Sequence, residues 1–156
     1  MIFFVLQNDD SGTAVLAILY QPVEKKLYVS WVGDSQGLLV AKDSYVYLVD
    51  PHKPQRPDER KRIENLGGCV LRSQNMYRVN GGLAISRAIG DKKLKPYVSA
   101  EPEIRVIDLT GSEHFVVMGC DGLWDVVEPH QVIETVYFEL KNNKGEFIHI
   151  YFNFIF

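Results

Sequence analysis

Asp34, Asp91 and Asp121 are the side chains in this sequence best placed to do chemistry. Each carboxylate adjoins a glycine, as Gly33-Asp34, Gly90-Asp91 and Asp121-Gly122. Each also follows an apolar run: Leu27–Val32, Leu83–Ile89 and Phe115–Cys120. A buried segment fixes the backbone, glycine lets the chain turn or approach closely, and the aspartate then projects from a sheet end. Such a mount suits a hard cation such as Mg²⁺ or Mn²⁺, which takes carboxylate oxygens and several waters. Asp beside Gly is also the commonest chemistry of a plain turn. Nothing in the spacing alone makes the three converge, so both readings stand.

Other reactive side chains lack a pattern. Ser35 and Ser86 have no Gly-x-Ser-x-Gly surroundings. Gly67-Gly68 and Gly81-Gly82 lack the spacing of a phosphate-binding loop. Cys69 and Cys120 form no Cys-x-x-Cys, and the histidines are scattered, so a structural zinc site is not expected. His52, between Pro51 and Lys53-Pro54, reads as a residue that orders a loop. Arg78-Val-Asn80-Gly81 reads equally well as an anion contact or as a strand entering an Asn-Gly turn.

The elements that must hold the aspartates follow from hydrophobic pattern. Thr13–Tyr20, Leu27–Val32, Gly37–Ala41 and Tyr45–Val49 are apolar or β-branched runs with short connections, which predicts a four-strand antiparallel meander. The proline-rich stretch 50–57 is an ordered loop. A short helix is expected over Asp58–Leu66, with acids in its first turn and Gly67-Gly68 at its end. Its Arg60-Lys61-Arg62 run reads as a solvated face, because acids are interleaved with it. Short strands are expected at Cys69–Leu71, Tyr77–Val79, Ile104–Leu109 and Phe115–Cys120. An amphipathic helix is expected from Pro129 to Leu140. Strands first and helices apart give an α+β class with mostly antiparallel sheet.

Composition narrows the function classes. The chain has 156 residues and a formal net charge of −3, which suits one domain and gives no electrostatic footprint for nucleic acid. No apolar run is long enough for a membrane span. Two lone cysteines are expected as small buried groups in a reducing compartment, the cytoplasm or nucleus.

A set of strings, in order, then points to a family. They are Ser11-Gly-Thr-Ala14, Val32-Gly-Asp-Ser35, Pro51-His-Lys-Pro54, Arg62-Ile-Glu-Asn-Leu-Gly-Gly68 and Arg78-Val-Asn-Gly81. Leu83-Ala-Ile-Ser-Arg-Ala-Ile-Gly-Asp91, Pro96-Tyr-Val-Ser99, Glu101-Pro-Glu103 and Cys120-Asp-Gly-Leu-Trp-Asp125 follow. Together they resemble the metal-dependent Ser/Thr protein phosphatases of the protein phosphatase 2C family. Trp31, Gln36, Arg56 and Asp58-Glu59 look most like the branch acting on calmodulin-dependent and p21-activated kinases. The resemblance implies an α+β fold of two antiparallel β-sheets sandwiched between helix pairs. It implies hydrolysis of phosphoserine and phosphothreonine by a water held between two Mg²⁺ or Mn²⁺ ions, with phosphorylated proteins and protein kinases as partners. It makes Asp91 and Asp121 metal ligands, with Asp34 near the same cleft at a weaker third-metal position. Gly122 is then only a neighbour, and Asp125 is structural.

The likeness covers residues 10–140, leaving 1–9 and 141–156 as non-matching ends. The family's early Asp-Gly-His segment, source of a bridging Asp and an acid-suited His, does not occur in the chain. Its last strand, with a further Asp next to Asn, is also not seen. Phe3, Phe4, Phe147, Tyr151, Phe152, Phe154 and Phe156 concentrate aromatic residues at the two ends. Such ends are expected to be non-homologous, from truncation or misassigned coding sequence, and the 147–156 run to be aggregation-prone if exposed. The expectation is therefore an enzyme in the whole family member, with this chain as written weak or inactive. The alternative is a phosphatase-like binding module that has lost its chemistry.

Overall fold

The computed structural model describes residues 10–142. The aromatic ends singled out in the sequence, 1–9 and nearly all of 141–156, lie outside the described residues. In chain order the elements are β1 (Gly12–Thr13), β2 (Val15–Gln21), β3 (Lys26–Val32), β4 (Gln36–Ala41), β5 (Tyr45–Tyr47) and α1 (Pro57–Asn65). Then come β6 (Val70–Ser73), β7 (Met76–Val79), β8 (Ile89–Gly90), a 3-10 turn (Lys92–Leu94), β9 (Glu103–Asp108), β10 (Glu113–Gly119), α2 (Asp121–Trp124) and α3 (Pro129–Asn142).

Two three-stranded antiparallel sheets, β2-β3-β9 and β10-β4-β5, face each other. Leu27, Val29 and Trp31 of β3 meet Leu39 of β4 with Leu48 and Val49, and this core fills the space between the sheets. β4 is a continuous apolar run because both of its faces are buried. Leu39 points to the intersheet core, while Leu38 and Val40 point the other way, onto Leu123 of α2 and Val132 and Val136 of α3. The four-residue spacing of Val132 and Val136 puts both on one helix face. Among the described residues the helix layer covers only this sheet. On the outer face of β2-β3-β9, Leu19 and Ile104 remain 66% and 69% exposed.

The expected meander is corrected. β3 and β4 do not pair; they belong to different sheets. Gly33-Asp34-Ser35 is a crossing between layers, and the positive φ of Gly33 (101°) makes that corner. Both cysteines are exposed, not buried.

A third core joins α1 to the β6–β7 hairpin through Ile63, Val70, Val79, Ala88 and Val98. α1 starts with Pro57 in its first turn and ends before Gly67 (φ 85°). Its buried face carries Ile63 and, four residues earlier, Glu59. A carboxylate in that position must find cations.

Candidate functional site

The register brings the three aspartates to one end of the sandwich. Gln36 at the start of β4 pairs with Gly119 at the end of β10, so Asp34 and Asp121 leave neighbouring strands at the same edge. Val15 at the start of β2 pairs with Val32 at the end of β3, and Gly12 pairs with Gly90. Asp91 therefore emerges beside the entry to β2, next to the point where β3 ends.

Each carboxylate has a specific support. A side chain on Gly12 would place its Cβ 1.7 Å from Asp91 Oδ2, so the carboxylate lies directly over a glycine. Asp91 takes a left-handed backbone (φ 51°), and its amide donates to the Ser11 carbonyl at 3.0 Å. Gly90 is required there, because a Cβ would meet the Ser11 oxygen at 2.2 Å. Asp121 opens α2, and its Oδ1 accepts the Gly122 amide at 2.8 Å. Trp124 anchors that helix: its indole N–H is shared between the carbonyls of Gly119 (2.9 Å) and Gln36 (3.2 Å). Asp125 caps the helix end, its amide donating to the Asp121 carbonyl at 2.9 Å. Asp34 pairs with the Lys53 ammonium.

The crossing that carries Asp34 is held by His52. Its Nδ1 accepts the Gly33 amide at 3.0 Å, and its ring stacks on Trp31 with centroids 5.9 Å apart. An accepting Nδ1 puts the hydrogen of the neutral ring on Nε2, which faces Glu103 Oε1 at 3.4 Å. Burial, then the Arg87 charge, push the His52 pKa down, favouring the neutral ring. The loop-ordering role expected of His52 is what the geometry provides.

Asp34, Asp91 and Asp121 do not form the closest acidic group. Among the described residues, that group is Asp58, Glu59 and Glu103, with ligand atoms within 4.8 Å of one another. Guanidinium groups already fill it. Arg87 Nη2 lies 2.7 Å from Glu59 Oε1 and 3.2 Å from Glu103 Oε1. Arg62 Nη2 lies 2.9 Å from Glu59 Oε2, and Arg56 Nη2 lies 2.8 Å from Asp58 Oδ2 and also pairs with Glu103. Burial raises the Glu59 carboxyl, but hydrogen bonds from Arg87 and Arg62 outweigh it and hold the pKa at about 2. This is an ion-pair network tying α1 to β9 and to the segment before β8, with its carboxylates already paired to guanidinium groups. Arg62 is accordingly not a solvated side chain, since it also donates to the carbonyls of Ser86 (2.9 Å) and Tyr97 (3.0 Å). No local pattern signals this network, because Arg56–Glu103 and Arg87–Glu59 join residues 47 and 28 positions apart.

The donor set at the sandwich end fits a hard divalent ion: carboxylate oxygens on rigid strand ends, one cradled by a glycine. A sequence profile of the family described as Protein phosphatase 2C matches residues 5–148. Mouse protein phosphatase 1F is 50% identical over 119 residues, covering 76% of this chain and 26% of that protein. Two solved structures share the fold. One is titled a C. elegans sex determining protein (TM-score 0.77, 29% identity, 81% of this chain and 31% of that one). The other is a serine-threonine phosphatase 2C from Toxoplasma gondii (TM-score 0.68, 28% identity, 77% of this chain and 45% of that one). The chain spans 16% of the length of mouse protein phosphatase 1E and 26% of that of mouse protein phosphatase 1F. With a profile match over most of its length and this α+β sandwich beneath it, the chain belongs to the protein phosphatase 2C family.

Proposed function

We propose that the whole protein hydrolyses phosphoserine and phosphothreonine in other proteins, protein kinases among them, using Mg²⁺ or Mn²⁺. What supports this reading is that three strand-end aspartates leave the same end of the sandwich, with Asp91 seated on Gly12. Asp91 and Asp121 would hold the metal, and Asp34 would add a weaker contact. A bound ion supplies neutralisation of phosphoryl charge and activation of water. The chain's own contribution is to keep the carboxylates fixed: Ser11-Gly12 supports Asp91, Trp124 supports Asp121, and His52 supports the crossing at Asp34. The two exposed free cysteines suit a reducing compartment, the cytoplasm or nucleus.

Among the described residues the site has few ligands. Mg²⁺ dehydrates reluctantly, and Asp34 already has Lys53 for a partner, so Asp91 and Asp121 bind the ion weakly. We infer that the chain by itself turns over phosphopeptide slowly or not at all. The test is Mn²⁺-dependent hydrolysis of a phosphothreonine peptide by the purified chain, with Asp121→Ala as control. Robust hydrolysis abolished by that substitution would contradict the inferred weakness and support the metal assignment. Robust hydrolysis indifferent to the substitution would contradict the assignment itself.

A further inference from the structure

The opposite end of the sandwich carries a concave feature. Tyr20 at the end of β2 pairs with Leu27 at the start of β3, and Ala41 at the end of β4 pairs with Glu113 at the start of β10. Between these strand ends opens a cavity of about 510 Å³, walled by Leu27, Leu39, Leu109, Phe115 and Val116. Its position at the far ends of the same strands separates it from the aspartates.

The polar groups on its rim are not equivalent. The Glu113 carboxylate is committed to its own turn: it accepts from the Thr110 amide (3.1 Å), the Thr110 hydroxyl (2.9 Å) and the Gly111 amide (2.9 Å). These bonds, the Thr110 amide first, hold its pKa at about 2, so it stays an anion whose oxygens are taken up by its own turn. His114 Nδ1 is committed to Tyr137, 2.9 Å away, whose hydroxyl donates in turn to the Ala41 carbonyl at 3.2 Å. Lys25 is different. Its backbone is pinned by a left-handed φ of 52° and by the Leu109 amide donating to its carbonyl at 2.7 Å. Its ammonium has no ion-pair partner among the described residues. An apolar pocket of this size, with one lysine free of ion pairs among its lining residues, has the make-up of a site for a small amphiphile of negative charge.

We propose that this cavity binds a small amphipathic carboxylate, its aryl or alkyl body between the two sheets and its carboxylate on Lys25. The assignment is independent of the metal site. It is tested with the full chain, using 4-phenylbutyrate as probe and uncharged 4-phenylbutan-1-ol as its control, followed by amide chemical shifts. The expected result is saturable one-site binding with shifts at Leu27, Leu39 and Phe115. The alcohol should bind about tenfold more weakly, and Lys25→Gln should weaken the acid, but not the alcohol, by about the same factor. Leu39→Trp, which fills the cavity, should abolish both. Equal binding of acid and alcohol would overturn the proposal, as would indifference to Lys25→Gln or the absence of saturable shifts. Cavity amides that shift on dilution instead would give the cavity to a second copy of the chain. Binding that appears only in a Phe152→Asp, Phe154→Asp double variant would give it to the chain's own C-terminal run. Either result would overturn the assignment.

Discussion

His52 and Gly33, nineteen positions apart, hold each other twice. The Gly33 amide donates to His52 Nδ1 at 3.0 Å, and the His52 amide donates to the Gly33 carbonyl at 3.0 Å. Asp34 is the next residue, so this pair sets the corner from which one of the candidate ligands projects. His52→Leu removes the acceptor and leaves the Gly33 N–H buried without a partner. The expected loss is about 1–3 kcal/mol, seen as a lower urea midpoint at unchanged slope. His52→Gln, which can still offer an acceptor, should recover part of it.

The Glu59 network should be the chain's acid weakness. Glu59 is 1% exposed, and its carboxyl is held at about 2 against an ordinary 4.5. A carboxylate depressed by folding stabilises the native state above its unfolded pKa, and that contribution is lost as pH falls through the folded pKa. Denaturant stability should therefore decline between about pH 4.5 and pH 2, by roughly 3 kcal/mol in all from this group. In Glu59→Gln that decline should be shallower.

Removing a cation from the same network should be costly at neutral pH. Arg87→Ala takes away the guanidinium that bridges Glu59 and Glu103. The expected cost is about 3–5 kcal/mol, because a buried carboxylate loses one of its partners. Thermal and urea unfolding of the variant would check it.

Gly12→Ala separates the support of Asp91 from its identity. The new Cβ would fall 1.7 Å from Asp91 Oδ2, so the carboxylate must move aside. We expect a stability loss of about 1–3 kcal/mol from overpacking and a Mn²⁺ affinity reduced about tenfold or more. Isothermal titration with Mn²⁺ beside a urea melt reads both.

Much of the scaffold was legible in the sequence because it obeys short-range rules. β2, β3, β10, α1 and α3 fall where apolar runs, Pro57 and Pro129 place them. The layer change between β3 and β4 was not legible. Gly33-Asp34-Ser35 looks like a hairpin turn, and what makes it a crossing is the ring and the backbone amide of His52, nineteen positions along the chain. Arg62 misled for the same reason, since its partners Ser86 and Tyr97 lie 24 and 35 positions away. At the candidate site the residue types Asp34, Asp91 and Asp121 were readable, and the family strings pointed at them. Their arrival at one edge depends on the β4–β10 and β1–β8 registers, which no local pattern specifies.

The central claim is that Asp91 and Asp121 hold a divalent ion at that edge. It is tested most directly by Mn²⁺ binding to the purified chain, followed by electron paramagnetic resonance of the free ion, for the native sequence, Asp91→Asn and Asp121→Asn. The account predicts one weak Mn²⁺ site in the native chain, lost in either variant while the urea midpoint stays within about 1 kcal/mol of native. Binding that survives both substitutions, or no Mn²⁺ site in a folded native chain, would contradict it.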